Sequence, residues 1–296
     1  MRNLNETELT AAVIAKLAGT KDPRLKEILA SLIRHLHDFV REVVLTEAEW
    51  MAGIDFLTAT GHTCDGKRQE FILLSDTLGV SMLVDALAHR ELTGATETTV
   101  LGPFHRPGAP HLPMWADIVP AEQGMASANV PAYVSGRVLD LDGQPVEGAT
   151  LDVWQTDGEG LYDVQRAGGQ AAYGRGQLTT GPDGRYGFRT AKPVSYSIPT
   201  DGPVGAFLRA TGRSPDRPAH VHMIVAAPGY HPVTTHLFVA GDPHLDSDAV
   251  FAVKQSLVVD FVAHAPGRAP DGRDCARPFF TAAYDFRLAP AAQAPR

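Results

Sequence analysis

The apolar residues of this sequence change their period part-way along the chain, and that change limits the fold more than any other feature. Between residues 24 and 44, Leu25, Ile28, Leu29, Leu32, Ile33, Leu36, Phe39, Val40 and Val43 recur at helical spacing and form one broad apolar face. From Pro131 the spacing becomes alternate, as in Ala132 to Asp140 and Ala149 to Gln155, with turn chemistry at Asp142-Gly143 and Pro182-Asp183-Gly184. The 28 glycines and 22 prolines fall mostly after residue 100, where short strands need turns. The expected fold is therefore α+β. A helical region over residues 1–100 precedes an antiparallel β-sandwich over residues 101–296.

In the first region, residues 6–19 have helical composition. Thr46-Glu47-Ala48-Glu49 is a capping box for a third helix reaching about Ala59. Arg68 to His89 reads as a fourth helix, with Gly61 and Gly94 marking breaks. The apolar faces at 12–18 and 25–44 can pack on each other, on the second region or on a second copy, and a dimer seam is the sharper expectation. His35, His37 and His89 lie among polar residues and read as surface or satisfied histidines. In the second region, further strands are expected at 186–189, 194–198, 220–226, 234–239, 255–263 and 279–287, with a disordered tail APAAQAPR.

Charge and composition narrow the function. Lys and Arg number 26 against 34 Asp and Glu, a net charge of −8 with no basic stripe, which argues against nucleic acid. No apolar run reaches membrane-spanning length, and MRNLNETELT lacks the order of a secretory leader. Two cysteines, Cys64 and Cys275, without C-x-x-C spacing, fit a reducing compartment and no thiolate metal site. A cytoplasmic protein is expected.

Chemistry concentrates between Tyr196 and Val225. His220-Val221-His222 leads into the apolar run Met223-Ile224-Val225, so the two imidazoles sit at i and i+2 on one strand and point the same way. Alone, the pair reads equally as two core histidines or as two metal ligands. Tyr162 follows the Trp154 strand in a Gly-rich loop, and Tyr196 sits in Val194-Ser195-Tyr196-Ser197-Ile198-Pro199. A loop tyrosine is ordinarily packing. Phenolate, however, is a hard anionic donor, and two phenolates with two neutral imidazoles would nearly balance Fe(III). A zinc or Fe(II) site using His220, His222 and His231 or His236 remains a rival, as does a non-catalytic binding sandwich.

The pieces LDVWQTDGEGLYD, YSIPTDGPVG and RPAHVHMIVAAPGY, in this order, resemble the intradiol ring-cleaving dioxygenases. KRQEFILLSDTLGVSMLVD and TVLGPFHRPGAP resemble the same group, so the likeness covers about residues 25–290. The group includes catechol, chlorocatechol and hydroxyquinol 1,2-dioxygenases. The resemblance implies Tyr162, Tyr196, His220 and His222 as ligands of one Fe(III) per subunit. It implies Tyr196 as the base that takes a diol proton, and Arg217 beside the ring as the stabiliser of developing negative charge. It further implies an aromatic diol and O2 as substrates and a homodimer through N-terminal helices, with phospholipid at the interface. Leu73, Asp76, Val100, Leu101, Gly102, Pro103, Phe104, Ile198, Pro199, Arg217 and Val250 match positions that line the pocket in the hydroxyquinol members. A carboxylate in an apolar ring pocket needs a donor, and a third ring hydroxyl would give Asp76 one. Hydroxyquinol (1,2,4-trihydroxybenzene) is thus favoured, with catechol and then chlorocatechol as alternatives. His236, fourteen residues after His222, reads either as an outer polar residue of the site or as a core histidine. The GRVLDLDGQPV and LDVW stretches also resemble transthyretin-like modules, the form a non-catalytic reading would take.

Overall fold

The structure is a computed structural model that describes residues 4–119, 130–166 and 172–291. Packing divides the chain into two units, Met1–Ala59 and Thr60–Arg296. The division falls within the helix Glu47–Thr63.

The first unit contains α1 (Glu8–Ala15), a 3-10 turn at Lys16–Gly19, and α2 (Pro23–Val43). Asp22 starts α2 by accepting from the backbone N–H groups of Arg24 at 2.8 Å and Leu25 at 3.2 Å, with Pro23 at the first helical position. The helix stops where Val44 turns left-handed, φ 50°. Thr10 and His37 (3.0 Å) and Thr10 and Arg41 (3.0 Å) link α1 to α2 by polar contacts. Leu25, Ile28, Leu32, Leu36, Phe39, Val40 and Val43 of α2 stay 43–53% exposed.

α3 (Glu47–Thr63) opens on the expected capping box. Thr46 N–H donates to Glu49 Oε2 at 2.9 Å, and the Thr46 hydroxyl accepts from Glu49 N–H at 3.3 Å. The helix does not break at Gly61 but runs to Thr63. It ends because the Asp65 carboxylate captures the N–H groups of Lys67 (2.6 Å) and Arg68 (2.7 Å) and holds a tight turn. The expected fourth helix is two, α4 (Glu70–Thr77) and α5 (Val80–His89), bent by 75°. Gly79 between them has φ 74° and donates its N–H to Asp76 O at 3.0 Å, a left-handed turn that glycine adopts without strain. Among the described residues, no single helix is long and apolar enough to cross a membrane.

The remainder of the second unit is built on β1 (Pro131–Asp140), β2 (Thr150–Trp154), β3 (Arg175–Thr179), β4 (Arg185–Ala191) and β5 (Tyr196–Ser197). After α6 (Pro203–Ala210) come β6 (Asp216–Arg217), β7 (His220–Ala226), β8 (Val233–Val239), β9 (Val258–Val259) and β10 (Val262–His264). The short ribbon β11 (Gly267–Arg268) and β12 (Asp274–Cys275) precedes β13 (Phe279–Ala283) and β14 (Phe286–Leu288). One sheet has the order β10-β13-β1-β14 with β4 also on β1, and the other is β3-β2-β7-β8-β9. Val134, Val138, Phe188 and Phe286 from the first meet Leu151, Val153, Leu178, Val221, Met223, Val225 and Leu237 from the second. Each such buried side chain contributes about 1.5–3 kcal/mol.

Most pairings are antiparallel, but β13 and β14 run parallel to β1, and β9 runs parallel to β8. The expected strand at 279–287 is split, since β1 pairs first with β13 and then, past Gly136, with β14. The expected strand at 255–263 divides into a 3-10 turn at Gln255–Leu257 and two short strands, and that at 194–198 shrinks to β5. Residues 289–291 are not loose: His231 N–H donates to Ala289 O at 2.8 Å and Ala291 N–H to Gly229 O at 2.8 Å. The rest of the expected disordered tail, 292–296, lies outside the described residues.

Candidate metal centre and substrate cleft

Alternation along β7 sets up the site. Val221, Met223 and Val225 point into the core between the sheets, so His220 and His222 point out of the opposite face of the same sheet. Trp154, opposite His222 in the β2–β7 register, stacks on the His222 ring at 4.6 Å and 12°. Tyr162 enters from the loop after β2, its ring stacked on Phe104 at 4.6 Å. Tyr196 enters from β5, which pairs with Arg217 of β6.

The polar tips converge. Tyr162 Oη lies 3.0 Å from Tyr196 Oη, 2.9 Å from His222 Nε2 and 3.4 Å from His220 Nε2. The two Nε2 atoms are 3.2 Å apart. Donor atoms held about 2 Å from one cation stand about 3 Å from each other, so the spacing suits a shared ion. The protonation states agree. His220 Nδ1 faces the Pro218 carbonyl at 2.6 Å, and a carbonyl only accepts, so Nδ1 carries the proton and Nε2 offers its lone pair. Arg217 Nη1, which can only donate, reaches the same Nε2 at 3.3 Å.

Burial sets the charges. It lowers His220 to about 3, with Arg217 adding to the effect. Burial, then the neighbouring His220 and Arg217, hold His222 well below the ordinary histidine value. These imidazoles are neutral, as ligands must be. Burial, and then the adjacent Tyr196, push the Tyr162 phenol well above 10. Burial raises Tyr196 as well, with Arg217 pulling the other way. Two phenolates 3.0 Å apart therefore need a cation to form. Burial disfavours charge on Arg217, yet Asp248 holds the guanidinium above its usual range. Asp248 takes Nε at 3.0 Å and Nη2 at 3.4 Å. Burial alone would raise Asp248; Arg217 and the Ala252 N–H bring it below the normal carboxylate value.

The cleft beside these tips has a volume of about 390 Å³ and is lined by Arg68, Glu70, Leu73, Pro103, Phe104, Gln165 and Pro199 among others. Leu73, Val100, Ile198 and Val250 belong to one buried apolar cluster with Val204, Leu208 and Phe238. Gly102, φ 75°, brings the backbone so close that a Cβ would sit 3.4 Å from His222 Cε1. Leu101 is 43% exposed and does not join the cluster. Asp76, one turn after Leu73 on α4, is 2% exposed. Burial raises its carboxyl, partly offset by Ser81 and Arg217.

Sequence reasoning missed several neighbours. Asp248, partner of Arg217, lies thirty-one residues away with no motif to mark it. Glu70, 0% exposed, takes Arg68 Nε at 3.0 Å and accepts the Val204 N–H at 3.1 Å, capping α6 at the cleft. Thr99 bonds His236 Nδ1 through its hydroxyl. His236 belongs to the site's surroundings: it pairs with His222 across the ladder, and with His220 and His222 it forms a buried group that could hold a metal ion. His231 is not in that group.

A family model described as Dioxygenase matches residues 101–290, and one described as Catechol dioxygenase N terminus matches residues 22–96. The chain is 55% identical over 267 residues to the 6-chlorohydroxyquinol 1,2-dioxygenase of Cupriavidus pinatubonensis, covering 90% of this chain and 95% of the relative. It is 54% identical over 257 residues to a hydroxyquinol 1,2-dioxygenase of a Rhizobium species, covering 86% and 85%. The crystal structure of a hydroxyquinol 1,2-dioxygenase from Pseudomonas putida DLL-E4 superposes with a TM-score of 0.88 at 49% identity, covering 97% of this chain and 99% of that one.

Proposed function

We propose a function for this chain from one premise: it belongs to the intradiol ring-cleavage dioxygenase family. It is an enzyme of that family, and its reaction is the opening of hydroxyquinol between vicinal hydroxyls with O2, giving 3-hydroxy-cis,cis-muconate and its tautomer maleylacetate. The observation that carries the reading is the convergence of Tyr162, Tyr196, His220 and His222; the buried carboxyl of Asp76, which feels the charge of Arg217, supports the choice of diol.

Tyr162, Tyr196, His220 and His222 would hold one Fe(III), the hard trivalent ion that this donor set suits. Held there, ferric iron would supply a Lewis acid that draws electron density from an aromatic diol. The chain's own residues do the rest. Tyr196, partly exposed on the two-residue strand β5, takes a proton from the diol. Tyr162, pinned between Phe104 and the histidines, keeps its place. Arg217, held charged by Asp248, faces the ring and stabilises developing negative charge without moving. Leu73, Val100, Ile198, Val250, Pro103, Phe104 and Pro199 enclose the ring in apolar surface.

Asp76 sets the choice of diol. Its buried carboxyl accepts the third hydroxyl of hydroxyquinol and meets only ring C–H in catechol. A site built for a hydroxyl rejects analogues lacking it. Two close relatives carry hydroxyquinol in their names, which supports this choice over catechol or chlorocatechol. A homodimer through the exposed apolar face of α2, with phospholipid between subunits, follows from the same family reading, and the free thiols of Cys64 and Cys275 suit the cytoplasm.

The test is colour with turnover. The iron-replete protein should be red-brown from phenolate-to-iron charge transfer and consume O2 with hydroxyquinol. Tyr196→Phe should shift the band and abolish turnover. A colourless protein at full iron occupancy would sink the reading.

A further inference from the structure

The proposed ligand set leaves one donor of the same face unused. His236 stands opposite His222 in the β7–β8 register and is 0% exposed. The rings of His220, His222 and His236 pack with centroids 4.0, 4.7 and 4.8 Å apart. One nitrogen from each lies within 4.8 Å of the other two. His236 Nε2 is buried with no partner among the described residues, while Nδ1 bonds the Thr99 hydroxyl. The hydroxyl can accept from Nδ1–H, and in that tautomer Nε2 presents a bare lone pair. His220 is fixed in the same tautomer by the Pro218 carbonyl. An outer partner on the second ring nitrogen is what imidazole ligands ordinarily have.

We propose that His220, His222 and His236 form a second, nitrogen-only coordination mode that takes a borderline divalent cation of the zinc class. This mode competes with ferric iron, because both need His220 and His222. Two histidines at i and i+2 on a strand with a third across the ladder give three ligands on rigid elements, and three histidines leave a fourth position for water. Imidazole suits zinc, copper and nickel, whereas the phenolates suit a harder trivalent ion. The two modes therefore differ in which third group joins the shared pair: His236 for the divalent ion, Tyr162 and Tyr196 for the ferric one. The adjacent Arg217 does not bar a cation, because Asp248 neutralises it at 3.0 Å. The proposal rests on the ferric reading only through the two shared histidines.

The probe is Co2+ added to the metal-stripped full-length protein, followed by visible ligand-field absorption and calorimetry. The wild type should take one Co2+ per chain and, once loaded, resist development of the ferric colour. His236→Gln should weaken Co2+ binding by more than about 100-fold, beyond the loss typical of an outer partner. Tyr196→Phe should leave Co2+ binding unchanged. Equal Co2+ affinity in wild type and His236→Gln, or no Co2+ uptake by the wild type, would overturn the proposal. The ferric reading fails separately, through absence of the charge-transfer band on adding Fe(III). Retention of that band in His236→Gln shows the variant folded.

Discussion

Arg217 and Asp248 illustrate how a buried charge is kept. Neither side chain is more than 4% exposed, and two hydrogen bonds join them. Asp248→Ala would leave the guanidinium uncompensated, at a cost of about 3–5 kcal/mol. Denaturant midpoints should show it, with kcat falling as Arg217 loses its anchor. Asp76 runs the other way. Its carboxyl is raised by burial, so the folded protein stabilises the protonated form and pays for the charge at neutral pH. Asp76→Asn should therefore stabilise the metal-free protein at pH 7 and erode the preference for hydroxyquinol over catechol. A variant no more stable and equally selective would reduce Asp76 to a structural residue. The histidines give a third expectation. Burial keeps His220, His222 and His236 neutral, so below the ordinary value of about 6.5 the unfolded chain binds more protons than the folded one. Stability of the metal-free protein should fall as pH drops from there toward about 3, the value for His220. Each histidine contributes about 1.4 kcal/mol per pH unit while it titrates in the unfolded chain alone. His236→Gln should lower that slope by one proton.

At the scale of elements, Gly136 marks where β1 changes neighbours from β13 to β14. A Cβ there would sit 1.7 Å from the Tyr284 carbonyl oxygen, which is backbone and cannot step aside. Gly136→Ala should rank among the exceptional losses above about 4 kcal/mol, read as a fall in soluble yield and in thermal midpoint. The element scale also shows what could be read from sequence and what could not. The capping box at Thr46, the periodicity of α2 and the alternation of β7 were all legible, because each is a local rule written in adjacent residues. The break at Gly79 was not, since a helical pattern continues on both sides and only the backbone angle stops it. α6 was missed because Pro203 and Gly212 bracket just eight residues, and its cap comes from Glu70, far away in sequence. Motif resemblance pointed to Tyr162, Tyr196, His220 and His222 as candidates, and their polar tips do converge. Asp248 and Thr99 were not legible, because each sits in a loop that only the folded chain brings against its partner.

For the whole molecule, α2 displays an apolar stripe with side chains about half exposed, more than a lone helix gains by leaving in water. In the proposed homodimer, a second copy would cover that stripe. Leu36→Glu should convert a dimer to a monomer in sedimentation at micromolar concentration while leaving the ferric colour intact; an unchanged sedimentation coefficient would remove α2 from the interface. The sandwich does separate work. One face of its second sheet is core, and over the other the two histidines of β7 meet Tyr162 from a loop and Tyr196 from β5. Oxygen uptake by the iron-replete protein, with hydroxyquinol and catechol run side by side, asks whether that face opens the ring. One O2 should be consumed per hydroxyquinol cleaved, at a faster rate than with catechol. Uptake with neither substrate would contradict it.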